Sequence, residues 1–103
     1  MIPLRCTVRI DGHDAVFLLE GEIDLAGRPV LEACLDSIGT SYGRVFVDMA
    51  AVTFIDSAGI QILAQAALRL QAERACELLV VNAHPHVRRV LEVAGLEQFL
   101  KVE

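Results

Sequence analysis

Residues 45–63 read VFVDMAAVTFIDSAGIQIL, and the two ends of this stretch carry different periods. Arg44 to Met49, RVFVDM, is short, β-branched and nearly continuous in apolar character, as a strand covered on both faces tends to be. From Ser57 to about Leu70 the spacing becomes helical. Leu63, Ala66, Ala67 and Leu70 gather on one side, while Ser57, Gln61, Gln65 and Arg69 follow one another at i+4 on the other. Downstream, Glu77 to Asn82, ELLVVN, repeats the character of the first strand. A strand, a crossover helix and a parallel strand in one sheet close right-handed, so this stretch predicts an α/β domain.

Outward toward the N-terminus, Leu4, Cys6, Val8 and Ile10 alternate with Arg5, Thr7 and Arg9, the period of a half-covered strand. The turn dipeptide Asp11-Gly12 and the run Ala15 to Leu19 complete an antiparallel hairpin, which GEID, Gly21 to Asp24, then leaves. Val30, Leu31, Cys34, Leu35 and Ile38 form one face of a helix that starts near Pro29 and stops at Gly39. Toward the C-terminus, Val87, Val90, Leu91 and Ala94 mark another helix, ended by Gly95, and Leu96, Phe99 and Leu100 pack back as an apolar tail. The expected architecture is α/β: a mixed sheet of about four to five strands, with an N-terminal antiparallel hairpin and parallel central strands, covered by about four helices.

A chain of 103 residues has room for one core, so residues 1–103 are read as a single domain. Its 54% hydrophobic and 22% charged content argues against disorder. The net charge of -5 argues against DNA, RNA or anionic lipid as partners, which need clustered Lys and Arg. The longest apolar region, Phe54 to Leu70, is interrupted by Asp56, Gln61, Gln65 and Arg69 and predicts no membrane span. Cys6, Cys34 and Cys76 are odd in number and far apart, which suggests reduced thiols in a cytoplasmic chain rather than a disulfide framework or zinc site.

The residues themselves offer two readings of Ser57, a helix cap and a nucleophile. Ser and Asp before a helix are favoured caps, because their oxygens accept first-turn amides. Gly59 speaks against capping alone, since Gly in a helix costs about 1 kcal/mol relative to Ala and implies a close approach. IDSAG, Ile55 to Gly59, resembles a nucleophile elbow, but Ile55 replaces its first Gly, and His13, His84 and His86 lie on other elements. Asp24, Asp48 and Asp56 are the residues a magnesium site would use, yet their spacing fixes no geometry. No P-loop pattern is present. Ile62 and Leu68 flank the exposed stripe as candidates for partner contact.

Three segments together, GEID at Gly21 to Asp24, VFVDMAAVTFIDSAGIQIL at Val45 to Leu63 and HPHVRRVLEVAGLEQF at His84 to Phe99, resemble the bacterial anti-sigma factor antagonists of the STAS domain family. The resemblance covers nearly the whole chain. It implies a non-enzymatic, cofactor-free switch in which Ser57 is the phosphoacceptor for an anti-sigma factor that is itself a GHKL-type serine kinase. The unphosphorylated form binds that kinase and frees the sigma factor, and a PPM-type serine phosphatase resets the modified form. Asp24 and Asp56 match acidic positions near the phosphoacceptor, and the expected partner surface comprises Asp24, Asp56, Ala58, Gly59, Gln61 and Ile62. The chain departs from the family at Ala58, where a second Ser is frequent, and at Gln61, where Gly is frequent. The alternative within the same fold is an unphosphorylated STAS subunit that serves a transporter or signalling assembly.

Overall fold

The two-residue loop Gly12-His13, with Gly12 at a φ of 63°, turns strand β1 (Arg5–Asp11) back into β2 (Asp14–Ile23). A positive φ at this point matches the loop to the right-handed twist of its strands. The computed structural model describes residues 2–38, 42–73 and 77–103. Pairing is antiparallel, from Arg5 opposite Glu20 to Asp11 opposite Asp14. Ala15, Phe17, Leu19 and Ile23 of β2 are buried and alternate with more exposed neighbours.

GEID does not leave this strand, as its sequence suggests; β2 continues through Gly21 to Ile23. Gly21 makes the continuation possible. Its φ is 103°, and a Cβ there would stand 2.6 Å from the Pro3 carbonyl oxygen. The register against the next strand shifts after Leu18 and again after Gly21, each time with one extra residue on that next strand, which bulges and bends there while β2 runs on.

Helix α1 (Arg28–Asp36) buries Leu31, Cys34 and Leu35, and Ile38 beyond it is buried too, while Val30 stays 40% exposed. Gly39, the expected stop, lies outside the described residues. The chain then forms β3 (Arg44–Ile55), α2 (Ser57–Ala72), β4 (Glu77–Val81), α3 (Pro85–Val93), a 3-10 turn at Leu96–Gln98 and β5 (Lys101–Val102). Sheet order is β1-β2-β3-β4-β5, with every pair after the first parallel. The mixed sheet is therefore as expected, with three α-helices and a 3-10 turn as its helical cover. Leu96 and Leu100 pack back as anticipated, whereas Phe99 remains exposed.

Each helix connects two neighbouring parallel strands, and the order always advances in the same direction. Right-handed crossovers then set all three helices on one face. Val45, Val47, Met49 and Val80 meet Leu31, Leu63, Leu70, Val87 and Leu91 in a single core on that side. On the other face Val16, Leu18, Phe46 and Val81 are only half-buried. The expectation that β3 and β4 are covered on both faces is thus corrected. Their apolar run is sheltered sideways within the sheet: Leu79 sits between Phe46 and Lys101 of the adjoining strands, and the Arg44 guanidinium lies 5.3 Å from the centre of the Phe46 ring.

A second correction concerns sulfur. Cys6 of β1 and Cys34 of α1 are joined as a disulfide, with their Cα atoms 6.6 Å apart, where the sequence suggests reduced thiols. The two are 28 residues apart in sequence, and only the folding of α1 back over β1 brings them together. Cys76 lies outside the described residues.

Candidate functional site: the start of helix α2

Ile23 pairs with Ile55 at the ends of β2 and β3, and the Asp56 amide donates to the Ile23 carbonyl at 3.0 Å. This register brings Asp24 and Asp56 off adjacent strands at the same end of the sheet. Each then turns the chain. Asp24 Oδ1 accepts the Gly27 amide at 2.8 Å ahead of α1, and Asp56 Oδ1 accepts the Gly59 amide at 3.1 Å. Asp56 has extended backbone, with φ -110° and ψ -176°, and is the N-cap of α2. The capping role thus falls to Asp56, and Ser57 is the first helical residue.

Ser57 is exposed, and no hydrogen bond from its hydroxyl occurs among the described residues. Gln61 and Gln65 continue the exposed stripe, and Ala58 and Arg69 are half-buried. Gly59 and Ile62, expected at a partner surface, are buried. Gly59 seats the first turn of α2 against the sheet: a Cβ would collide with Ile23 Cγ2 and stand 3.1 Å from Ile55 Cγ1. Ile62 is 5% exposed and, with Leu35, lines the groove between α1 and α2. Leu68, the other flanking residue, is 47% exposed.

Two large apolar residues that sequence reasoning passed over stand beside this end of the sheet. Leu25 is 69% exposed just after Asp24, and Phe54 is 47% exposed two residues before Asp56. The signal for Phe54 is in the sequence: VTFID breaks the strand alternation, so Val52 and Ile55 are buried and the two residues between them are not. Neither Asp24 nor Asp56 joins an ion pair among the described residues. Acidic and apolar side chains therefore sit together at the strand ends from which α2 starts.

The other sequence candidates are engaged elsewhere. β4 pairs with β3 only as far as Asp48 opposite Val81, which leaves the last turns of β3 with a free edge. His84 and His86 serve it through Nε2, at 2.7 Å from the Ala50 carbonyl and 3.0 Å from the Thr53 carbonyl, with their rings stacked 6.0 Å apart. Neither ring is bonded to Ser57. Asp48 fixes the bend in β3 by accepting the Ala50 amide at 2.9 Å, and it accepts from Asn82 Nδ2 at 3.3 Å, where Asn82 adopts a φ of 61°. Asp24, Asp48 and Asp56 thus each support local backbone. No group of three or more metal-ligating side chains occurs among the described residues, and none of the described helices is long and apolar enough to cross a membrane.

An open sheet with helices on one face, an N-terminal hairpin and an exposed serine opening the helix after β3 define a STAS domain. The chain belongs to that family: its description "Mlab, STAS domain" matches residues 6–102. Among solved structures, an anti-sigma factor antagonist from Mycobacterium paratuberculosis is 25% identical, with a TM-score of 0.81 over 96% of this chain and 84% of that one. The unphosphorylated form of the anti-sigma factor antagonist SpoIIAA shares the fold at 16% identity, with a TM-score of 0.70 over 97% and 86% of the two chains. A sulfate transporter family protein from Wolinella succinogenes shares it too, at 18% identity and a TM-score of 0.76 over 91% and 79%. No curated protein matches the chain.

Proposed function

We propose that this protein is an anti-sigma factor antagonist, a non-catalytic switch that binds a GHKL-type serine kinase while Ser57 is unmodified and is released once Ser57 is phosphorylated. The observation that carries this reading is the division of labour at α2: Asp56 caps the helix, so the exposed Ser57 hydroxyl has no structural duty that modification would disrupt. A phosphate there adds about -1.5 to -2 charges at a helix N-terminus, where free amides and the dipole favour an anion. The fold tolerates the group. A partner seated over Ser57, Gln61, Leu25 and Phe54 and beside Asp24 and Asp56 meets new charge and its desolvation instead. Since about 1.4 kcal/mol is tenfold in affinity, a few kcal/mol suffices for release. A PPM-type phosphatase completes the cycle, and ATP and magnesium arrive with the kinase.

The test is a pull-down from the native host with the full chain as bait, followed by intact-mass measurement after ATP is added to the eluate. A kinase in the eluate and one phosphate on Ser57 support the switch. A second reading, an unphosphorylated subunit of a transporter assembly, is supported by the shared fold of the Wolinella succinogenes protein and by Gln61, whose long side chain stands one turn from Ser57 on the presented stripe. Transporter components in the eluate with no change in mass select that reading.

A further inference from the structure

Strand β1 is an edge of the sheet whose residues are exposed over most of its length: Val8 is 46% and Ile10 55% exposed, on the same face as half-buried Cys6. An edge strand with free backbone groups and apolar side chains is a template for another strand, and charges normally guard against it. Here the charges are arranged so that one pairing satisfies them. We propose that β1 is a self-complementary interface that pairs antiparallel with β1 of a second copy, with Val8 on the two-fold axis.

In that register Val8 faces Val8, Cys6 faces Ile10, Thr7 faces Arg9 and Arg5 faces Asp11, each pair occurring on both sides of the axis where it is not on it. Directly opposed residues in an antiparallel pair point to the same face. Cys6, Val8 and Ile10 therefore form one apolar stripe across the junction on the helix side, and Arg5 and Asp11 make two opposite-charge pairs on the open side. A slip of two residues one way sets Arg5 against Arg9; a slip the other way sets Arg9 against Arg9. Slips by one residue oppose side chains of different faces. Like charges directly opposite destabilise a pair of strands, so the central register is selected against its neighbours. The product is a continuous ten-stranded sheet built from two five-stranded ones, isologous as a two-fold dimer requires. Because the pairing is antiparallel, the Ser57 ends of the two copies point in opposite directions and neither blocks the other.

The experiment is sedimentation of the full chain over a concentration series up to about 1 mM, where an association worth only about 4 kcal/mol is already populated, with Val8→Lys, Arg5→Asp and the double variant Arg5→Asp/Asp11→Arg. Circular dichroism checks that each variant is folded. The expected result is a concentration-dependent dimer that Val8→Lys abolishes, that Arg5→Asp weakens by roughly tenfold or more, and that the double variant restores. A parent protein that stays monomeric throughout overturns the proposal. So does a dimer that Val8→Lys leaves intact, or a charge reversal at Arg5 that Asp11→Arg does not rescue.

Discussion

Asp56 and Ser57 are adjacent in sequence but divide the start of α2 between them: the Asp56 carboxylate holds the Gly59 amide at 3.1 Å, while the Ser57 side chain faces solvent. Removing each in turn separates the roles. Asp56→Ala is expected to cost about 1 kcal/mol, the usual worth of an N-cap, and Ser57→Ala less than about 0.5 kcal/mol. Urea unfolding of the two variants measures both. Equal losses would return the capping role to Ser57.

Ser57→Asp should move stability and binding in opposite directions. An acidic side chain in the first turn interacts favourably with the helix dipole by about 0.3 to 1 kcal/mol, so the melting temperature holds or rises. Affinity for the kinase, read by titration calorimetry, falls by tenfold or more, while Ser57→Ala binds like the parent and is never released by ATP. A drop in both quantities for Ser57→Asp would mean that the substitution damages the fold, not the interface.

Gly59→Ala gains helix propensity of about 1 kcal/mol but drives a methyl into Ile23 Cγ2. Overpacking of this kind costs about 1 to 3 kcal/mol, so the net effect runs from neutral to about 2 kcal/mol destabilising. Combining it with Ile23→Ala should yield a double variant less destabilised than the sum of the two single changes, because the shortened side chain makes room. Strict additivity in this cycle would show that the two residues do not touch.

The Cys6–Cys34 bridge closes a loop across 28 residues and ties the edge strand to α1. Loops of this size carry about 3.6 kcal/mol of stabilisation from restriction of the unfolded chain. Thermal unfolding with and without reductant, and of Cys34→Ser, should show a lower midpoint whenever the bridge is open. Identical midpoints would mean that the cysteines are already reduced under the starting conditions.

Much of this site is readable in the chain itself. The i+4 series Ser57, Gln61, Gln65 faces outward because a helix on a sheet must bury its apolar side, and the alternation in β1 and β2 fixes the hairpin. What escapes the sequence depends on contacts between elements. Ile62 sits on the flank of its own helix, and only the presence of α1 alongside turns that flank inward. Gly59 signals a close approach, but the approaching group is the Ile23 side chain, which belongs to a strand extended by the positive φ at Gly21. The Cys6–Cys34 pairing is likewise a product of tertiary packing. Leu25, which is part of no periodic face, becomes visible only where two strand ends leave the sheet together, whereas the broken alternation of VTFID already marks Phe54.

The seating of Gly59 on Ile23 also bears on how fast such a switch can work. The first turn of α2 is packed at Gly59 on the ends of β2 and β3 while Ser57 is exposed, so the proposed modification calls for no rearrangement of the helix start. If Ser57 is modified as proposed, the response time is then set by the partner's chemistry and its dissociation rather than by a rearrangement of this chain.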